Sequence, residues 1–372
     1  MKKVKFVMHT MIGRGAENVL IEILEKLDAS KYKIELFLLI KTGPVLERIP
    51  SSINVSYLTL GDEFFSSKLL LFVNRIKRKI KIWLYCHFPN IFTRKSFVDD
   101  DVCISFLQWY TARMVNRLNI KAKKISWIHI DLSKTSGKYC NKLDFSEFDE
   151  MVFVSEQAKL GYEEFTNKKC LNANVIYNLV DENRIKILGL QDFESPLIRQ
   201  ARLKVCCVGS LTSQKRFDKA ILAVIELVNK GHKVDLHIIG AGQLLPELKL
   251  SVSNNNAQDF IFFWGYQPNP YKIINQCDIF LLSSDFEGFG LVVAEAMILG
   301  LPVICTKCAG PLEITKNGEF GILIGNDISD IGNAIINFEN ESVISTWSSL
   351  SYLGWNRLKS MNDIKEVENI LD

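Results

Sequence analysis

Short apolar runs alternate with amphipathic runs along the first half of the chain. The apolar, β-branched runs predict strands at residues 4–8, 34–40, 55–58, 102–106, 124–128, 151–154 and 174–177. Between them, apolar residues recur at helical spacing over residues 16–28, 69–85, 110–119 and 156–166. Strands that alternate with helices in this way are typical of a parallel sheet covered on both faces.

A second series of the same kind follows a polar stretch without a clear strand. Its predicted strands are residues 204–208, 234–239, 260–264, 279–282, 302–305 and 321–324, and its helices include 217–230 and 290–300. The predicted fold class is α/β, with two doubly wound Rossmann-like domains facing a cleft, where ligands bind beyond the carboxyl ends of the strands. We assign residues 1–180 to the first domain, 181–202 to a linker, 203–344 to the second domain, and 345–372 to a helix that packs back on the first.

The most informative stretch is a glycine-rich turn that leads into an apolar helix. Glu287 is followed by Gly288 and Gly290, and Glu295 is the only charged residue of the run 291–301. A buried carboxylate without partners costs on the order of several kcal/mol, so Glu295 needs donors from a Lys, an Arg, a backbone amide or a ligand's hydroxyls. Helix N-termini favour anions. The pattern therefore indicates a nucleotide or sugar phosphate.

Two further loops follow predicted strands. After Val208 the chain reads GSLTSQKRFDKA, where Lys215 and Arg216 precede a helix and predict a diphosphate site, with a surface pair of cations as the alternative. After the first strand it reads HTMIGRGAENVL, which is not the G-x-G-x-x-G of dinucleotide binding. An NAD-dependent dehydrogenase is therefore weakly supported.

His129 and Asp131 follow the predicted strand that ends at residue 128. At that end of a sheet both side chains can point into a cleft, although a lone histidine is more often structural. Cys305 and Cys308 form a lone C-x-x-C without the second ligand pair that zinc needs, so we expect reduced core thiols and no metal site.

Composition excludes some classes of protein and adds one surface. Hydrophobic and charged contents of 48% and 23% are those of a soluble protein, and the N-terminal residues do not form a signal peptide, so we expect a cytoplasmic location. Residues 1–190 carry 30 Lys and Arg against 21 Asp and Glu, whereas residues 191–372 carry 15 against 21. The excess is concentrated in a basic, apolar helix that suits an anionic membrane, with a helix face packed on its own domain as the alternative. Its candidate membrane residues are Arg75, Lys77, Arg78, Lys79, Lys81 and Trp83. No nucleic-acid motif is present.

Together these motifs resemble glycosyltransferase family 4, the retaining nucleotide-sugar transferases of GT-B fold, of the bacterial polysaccharide and lipopolysaccharide type. Glu287 and Glu295 match the family's E-x7-E motif within EGFGLVVAEAM, and VGSLTSQKRFD matches its phosphate-binding loop. GRGAENVL is similar to its N-terminal GGAE loop and WIHID to its histidine strand. FWGYQPNPY, IYNLVD, FVSEQA and AGPLEI look like further family signatures, so the resemblance covers essentially the whole chain.

The resemblance implies a role for each matching residue. Lys215 binds the donor diphosphate, Glu295 holds the ribose hydroxyls, Glu287 contacts the transferred sugar, and His129 lies near that sugar, on the acceptor side with Asp131. Lys215, Glu287 and His129 are the implied catalytic residues. The amides of Phe289, Gly290 and Leu291 hold phosphate or sugar oxygens, and Gly265, Tyr266 and Gln267 border the nucleobase. The other implied donor-binding residues are Arg14, Gly15, Gly209, Ser210, Arg216 and Gly288.

Two positions depart from the family pattern. Ser210 stands where the family usually has a phosphate-binding arginine, and Arg14 replaces a glycine of the first loop. Either Arg14 or Arg216 can supply the missing charge, and the sequence leaves both open.

The resemblance implies transfer of a sugar from a nucleoside diphosphate sugar to a glycan or lipid-linked hydroxyl in cell-surface polysaccharide synthesis. UDP is the expected nucleotide from its frequency in the family, and we expect neither a cofactor nor a metal. The expected location is the cytoplasmic face of the inner membrane. A nucleotide-sugar 2-epimerase of the same fold and a non-catalytic nucleotide-sugar-binding scaffold are the alternatives.

Overall fold

The chain folds into two compact parallel-sheet units. The computed structural model describes residues 1–92, 96–134, 143–195 and 202–372. The first unit comprises Met1–Leu179 and Asn362–Asp372, and the second comprises Val180–Met361.

In its described residues, the first unit has seven strands that all pair in parallel. The strands are β1 (Lys2–Met8), β2 (Tyr32–Lys41), β3 (Asn54–Leu60), β4 (Val102–Ser105), β5 (Lys123–Ile128), β6 (Glu150–Phe153) and β7 (Ala173–Val175). Their order in the sheet is β3-β2-β1-β4-β5-β6-β7. The helices between them are α1 (Gly15–Lys26), α2 (Lys68–His87), α3 (Pro89–Phe92), α4 (Tyr110–Arg117) and α5 (Glu156–Thr166).

The central strands of this sheet are buried on both faces. Val7 of β1, Phe37 of β2 and Cys103 of β4 pack with Met114 and Val115 of α4 in one apolar cluster. A strand buried on both sides needs a continuous apolar run, which is the pattern that predicted these strands. The carboxyl ends of β1, β4 and β5 consequently lie side by side at one edge of the sheet.

The part of the second unit that the structure describes has six parallel strands. They are β8 (Leu203–Val208), β9 (Val234–Ile239), β10 (Ile261–Gly265), β11 (Ile279–Leu282), β12 (Val303–Thr306) and β13 (Ile322–Ile324), in the order β10-β9-β8-β11-β12-β13. Its helices are α6 (Glu182–Gly189), α7 (Phe217–Asn229), α8 (Leu245–Asn254), α9 (Tyr271–Ile274), α10 (Leu291–Ile298), α11 (Ala309–Ile314), α12 (Ile328–Ile336) and α13 (Glu341–Ser360). The loops after β8 and β11 are neighbours because those strands pair.

The structure differs from the sequence-based division of the chain in two places. The predicted linker contains α6, which packs on α9 and α10 of the second unit. The predicted C-terminal helix is two helices: α13 packs on α10 in the second unit, whereas α14 (Ile364–Leu371) packs on α1 in the first. Contacts that are distant in sequence decide both assignments, because the local pattern of each segment is only that of an amphipathic helix.

The cysteines in the described residues are all free thiols, and all but Cys170 are buried. Burial raises the pKa of the Cys308 thiol to about 12. Within the described ranges, no three His, Cys, Asp or Glu side chains come together as a metal site would need.

Candidate functional site

The loop between β11 and α10 is fixed by close backbone packing. Gly290 caps α10 with a φ of 90°, a left-handed conformation that favours glycine. Gly310 of α11 lies so close that a Cβ atom there would be 1.8 Å from the Phe289 carbonyl oxygen. The backbone of residues 289–291, predicted to hold phosphate or sugar oxygens, is therefore set by neighbouring glycines.

The loop after β8 is joined to this first loop by hydrogen bonds. Asp285 N donates to Gln214 O at 2.8 Å, and Gln214 Nε2 donates to Phe286 O at 2.7 Å. Ser283 Oγ donates to Lys215 O at 2.8 Å. Three bonds between two loops leave little freedom for either, so the structure brings both predicted phosphate loops together as one rigid feature.

Lys215 and Glu287 form an ion pair where the two loops meet. Lys215 Nζ contacts Glu287 Oε1, which also accepts a hydrogen bond from Ser284 Oγ at 2.7 Å. Their side chains are only 17% and 11% exposed. An ammonium group has three N–H donors, so Lys215 can keep this one carboxylate partner and still donate to an incoming anion.

Arg216 lies next to Lys215 but faces two carboxylates. Its backbone is left-handed, with a φ of 48°, and its guanidinium pairs with Asp218 at 2.9 Å and with Asp285 at 3.4 Å. The hydrogen bonds that Arg216 donates to the Asp218 carboxylate raise the pKa of Arg216 above its usual range. Asn326 Nδ2 also donates to Asp285. Arg216 thus connects the loop that contains Asp285 to the start of α7 through these ion pairs.

Glu295 lies on α10, one helical turn beyond the loop. Its Oε1 accepts a hydrogen bond from the phenol of Tyr271 at 3.1 Å. The expected partners within the protein were Lys, Arg or a backbone amide, and sequence reasoning missed the tyrosine. The Asn-Pro-Tyr sequence marks where α9 begins, at Tyr271, but it contains no signal that pairs this tyrosine with Glu295.

The loop after β10, at residues 265–267, lies at the same edge of the second sheet. Gly265 has a φ of 67°, and Gln267 Nε2 folds back to donate to Trp264 O at 2.7 Å. Tyr266 is exposed. This loop is the predicted border of the nucleobase.

In the first unit, Glu17 holds the glycine loop after β1. Its two carboxylate oxygens accept from Thr10 Oγ1 and from Arg14 N, both at 2.7 Å. Burial raises the pKa of Glu17, and these bonds oppose that rise. Arg14 and Gly15 are exposed at the start of α1.

His129 follows β5 and packs among aromatic rings. Its ring centroid is 4.8 Å from that of Phe106 and 6.3 Å from that of Trp127. Its Nε2 atom is buried and has no hydrogen-bond partner in the described part of the chain. Burial lowers the pKa of His129 to about 3. The imidazole is therefore neutral at physiological pH.

Asp131 is buried and already bonded within the protein. Its Oδ1 accepts from Ser133 N at 2.9 Å and from Ser133 Oγ at 2.8 Å, and Gly161 of α5 lies against it. Sequence reasoning missed a second imidazole at this edge: His9, at the end of β1, packs edge-on against Tyr110 at 5.6 Å. Burial lowers the pKa of His9, and Arg14 and then Arg78 lower it further.

Helix α2 exposes apolar side chains along one face. Six of them, spaced at helical periodicity, form what we call the α2 apolar stripe: Leu69, Phe72, Val73, Ile76, Ile80 and Trp83. Leu69 is 71% exposed and Phe72 62% exposed. In the described residues, no helix combines the length and apolar character needed to cross a membrane.

The basic residues of α2 fall into two groups. Arg75 and Arg78 pair with Asp62 at 2.7 and 2.9 Å. Both pairs lower the pKa of Asp62, and the hydrogen bond from Arg75 has the larger effect. Lys77 and Lys79 are exposed and lie on opposite sides of the α2 apolar stripe, with Lys81 beyond Lys77. Cations therefore border an exposed apolar surface.

Residues 190–349, which contain both loops and α10, match the model of the family described as glycosyl transferases group 1. An N-acetylgalactosamine-N,N'-diacetylbacillosaminyl-diphospho-undecaprenol 4-alpha-N-acetylgalactosaminyltransferase of Campylobacter jejuni is 31% identical over 163 residues, 43% of this chain and 41% of that protein. The chain thus spans less than half the length of that relative. The lipopolysaccharide 1,6-galactosyltransferase of Escherichia coli K12 is 24% identical over 84% of this chain and 82% of that protein.

Solved structures show the fold. The structure of Anabaena HepE in complex with UDP and glucose matches with a TM-score of 0.74 over 100% of this chain and 98% of that chain, at 16% identity. The predicted GT-B fold class is confirmed.

Proposed function

We propose that the protein is a retaining glycosyltransferase that moves a sugar from a nucleoside diphosphate sugar, a UDP-sugar, to a hydroxyl of a glycan or lipid-linked acceptor. The setting is cell-surface polysaccharide synthesis. The observation that carries this proposal is the joined pair of loops, which holds Lys215 beside Glu287 within the stretch that matches the transferase family. The names of the relatives and the UDP bound to HepE support it.

The chemical demand of the reaction is a departing diphosphate. The bond between the sugar's anomeric carbon and the diphosphate oxygen breaks, and the acceptor oxygen bonds to that carbon. The acceptor's proton passes to the leaving phosphate in an internal return. Lys215 and the N–H groups of Phe289, Gly290 and Leu291 at the start of α10 stabilise the developing charge. These groups need no metal in the proposed reaction.

The remaining roles follow the same proposal. Glu295 receives the ribose hydroxyls, Glu287 a hydroxyl of the transferred sugar, and residues 265–267 border the base. His129 is a neutral hydrogen-bond partner on the sugar and acceptor side, because its burial disfavours the cation. Arg216 is already paired with two aspartates, so it is a poor source of the charge that Ser210 lacks.

A panel of nucleotide sugars with glycan and lipid-linked acceptors tests the activity. Release of nucleoside diphosphate that depends on the acceptor is expected. Lys215→Ala and Glu295→Ala should each abolish it, while Lys249→Ala, an exposed lysine of α8, should retain it. Turnover of the donor without acceptor would instead indicate the epimerase, and binding without turnover the scaffold. Wild-type transfer by either site variant would overturn the assignment.

We further propose that the α2 apolar stripe lies on an anionic membrane that contains the acceptor. Six exposed apolar side chains with lysines on both sides match the interface between lipid headgroups and acyl chains. Each cation near such a surface contributes about 1 kcal/mol. Lys77 and Lys79 fit this role better than Arg75 and Arg78, which are paired with Asp62.

Vesicle flotation tests the membrane contact. With vesicles containing anionic lipid, the wild-type chain should float with the lipid. The double variant Lys77→Glu/Lys79→Glu and the single variant Ile76→Asp should stay in the bottom fraction of the gradient. Lys168→Glu with Lys169→Glu, an adjacent exposed pair elsewhere on the first unit, is the matched control for charge. Equal flotation of all variants would contradict this proposal and leave the transferase assignment standing.

A further inference from the structure

A tyrosine outside the proposed donor-binding set makes a direct contact with Glu295. Tyr271 is the first residue of α9, and its phenol donates to Glu295 Oε1 at 3.1 Å. Glu295 is the only charged residue of α10, whose other side chains are apolar. The phenol therefore holds one oxygen of the carboxylate and restricts where the side chain points.

Tyr271 is itself held by the chain around it. Asn269 Oδ1 accepts from Tyr271 N at 3.1 Å, and Asn269 Nδ2 donates to Leu188 O and Gln191 Oε1, both at 2.9 Å. Pro268 and Pro270 flank Asn269 and restrict its backbone. Since α6 also packs on both α9 and α10, the start of α9 is fixed relative to the helix that carries Glu295.

We propose that Tyr271 is a positioning residue that orients the Glu295 carboxylate toward the paired 2′ and 3′ hydroxyls of a ribonucleoside diphosphate. It thereby sets the preference of the site for ribose over deoxyribose. This inference rests on the proposed function, which assigns the ribose to Glu295. A diol donates two hydrogen bonds only to a carboxylate in one orientation, and a carboxylate oriented in advance loses less rotamer freedom when the nucleotide binds.

Calorimetric binding of UDP and of 2′,3′-dideoxy-UDP tests the inference. The wild-type chain should prefer UDP, and Glu295→Ala should abolish that preference. Tyr271→Phe, which removes only the hydroxyl, should reduce the preference about tenfold, or about 1.4 kcal/mol, with the affinity for dideoxy-UDP unchanged. Tyr352→Phe on α13 is the matched control and should bind both nucleotides as the wild type does, because its hydroxyl faces Lys186 at 3.4 Å.

The variants separate the possible failures. If Tyr271→Phe keeps the full preference for UDP while Glu295→Ala loses it, the positioning role is overturned and the donor site stands. If Tyr271→Phe lowers the affinity for both nucleotides equally, the tyrosine has only a structural role, which also overturns the inference. If Glu295→Ala keeps the preference, or the wild type does not bind UDP, the proposed donor site itself fails.

Discussion

The two units present different kinds of site at the carboxyl edges of their sheets. In the second unit the charged groups have partners within the protein: Lys215 pairs with Glu287, Arg216 with two aspartates, and Glu295 with Tyr271. In the first unit, His129 presents a buried Nε2 without a hydrogen-bond partner among the described residues, and α2 exposes an apolar stripe. Bonds within the protein therefore hold the loops of the second unit, as the proposed nucleotide site requires, whereas the first unit leaves a buried imidazole nitrogen and an apolar helix face for the proposed acceptor.

A substitution that pushes on the loop before α10 in the second unit should have the largest effect on activity. Gly310→Ala places a Cβ atom 1.8 Å from the Phe289 carbonyl oxygen, so the loop must move. We expect transfer to fall about 100-fold, since a displacement of about 1 Å costs that much, and stability to fall by about 1–3 kcal/mol. Activity assays and urea unfolding measure the two effects.

The control for this variant is Gly332→Ala. Gly332 lies within α12, where an added Cβ meets only ordinary contacts at 3.7 Å, and alanine favours the helix by roughly 0.5–1 kcal/mol. It should keep full activity. Wild-type transfer by a folded Gly310→Ala variant would show that the loop is not organised in advance.

In the first unit, the unfolding free energy should depend on pH through His129. Its pKa is near 3 when folded and 6.5 in an open chain, so the unfolded chain binds the additional proton. Stability from this residue is therefore full above pH 6.5 and falls as the pH drops toward 3, by up to about 1.4 kcal/mol per pH unit.

Urea unfolding at several pH values measures this dependence. As the pH falls from 6.5 to 4, the unfolding free energy of the wild type should decrease more than that of His129→Gln. The imidazole proton resonances of His129 should not titrate in that range. A titration midpoint near pH 6.5 for these resonances would contradict the account of a buried, neutral imidazole.

Arg216→Ala should have the smallest effect. Its charge is already opposed by Asp218 and Asp285, and partly exposed pairs of this kind contribute about 0.2–1 kcal/mol. We expect kcat/KM for the donor to fall less than tenfold. A loss as large as that of Lys215→Ala would mean that Arg216 leaves its aspartates to bind the diphosphate.

Sequence periodicity predicted all thirteen strands of the described residues because most of them are short, mainly apolar runs, and glycine spacing predicted the turn before α10. Local motifs singled out the two glutamates and Lys215, and the structure places Lys215 beside Glu287. Three features escaped prediction: the position of α6, the division between α13 and α14, and the contact of Tyr271 with Glu295. Each depends on residues that are distant in sequence, and no local pattern encodes such a pairing.

The most direct test of the central claim is UDP binding by the wild type and by Lys215→Ala in the calorimeter, with Lys249→Ala as control. The account predicts that the wild type and the control bind alike. It predicts that Lys215→Ala binds at least about tenfold more weakly, because a charged hydrogen bond of roughly 1.5–3 kcal/mol is lost. Equal affinity for UDP in all three proteins would contradict it.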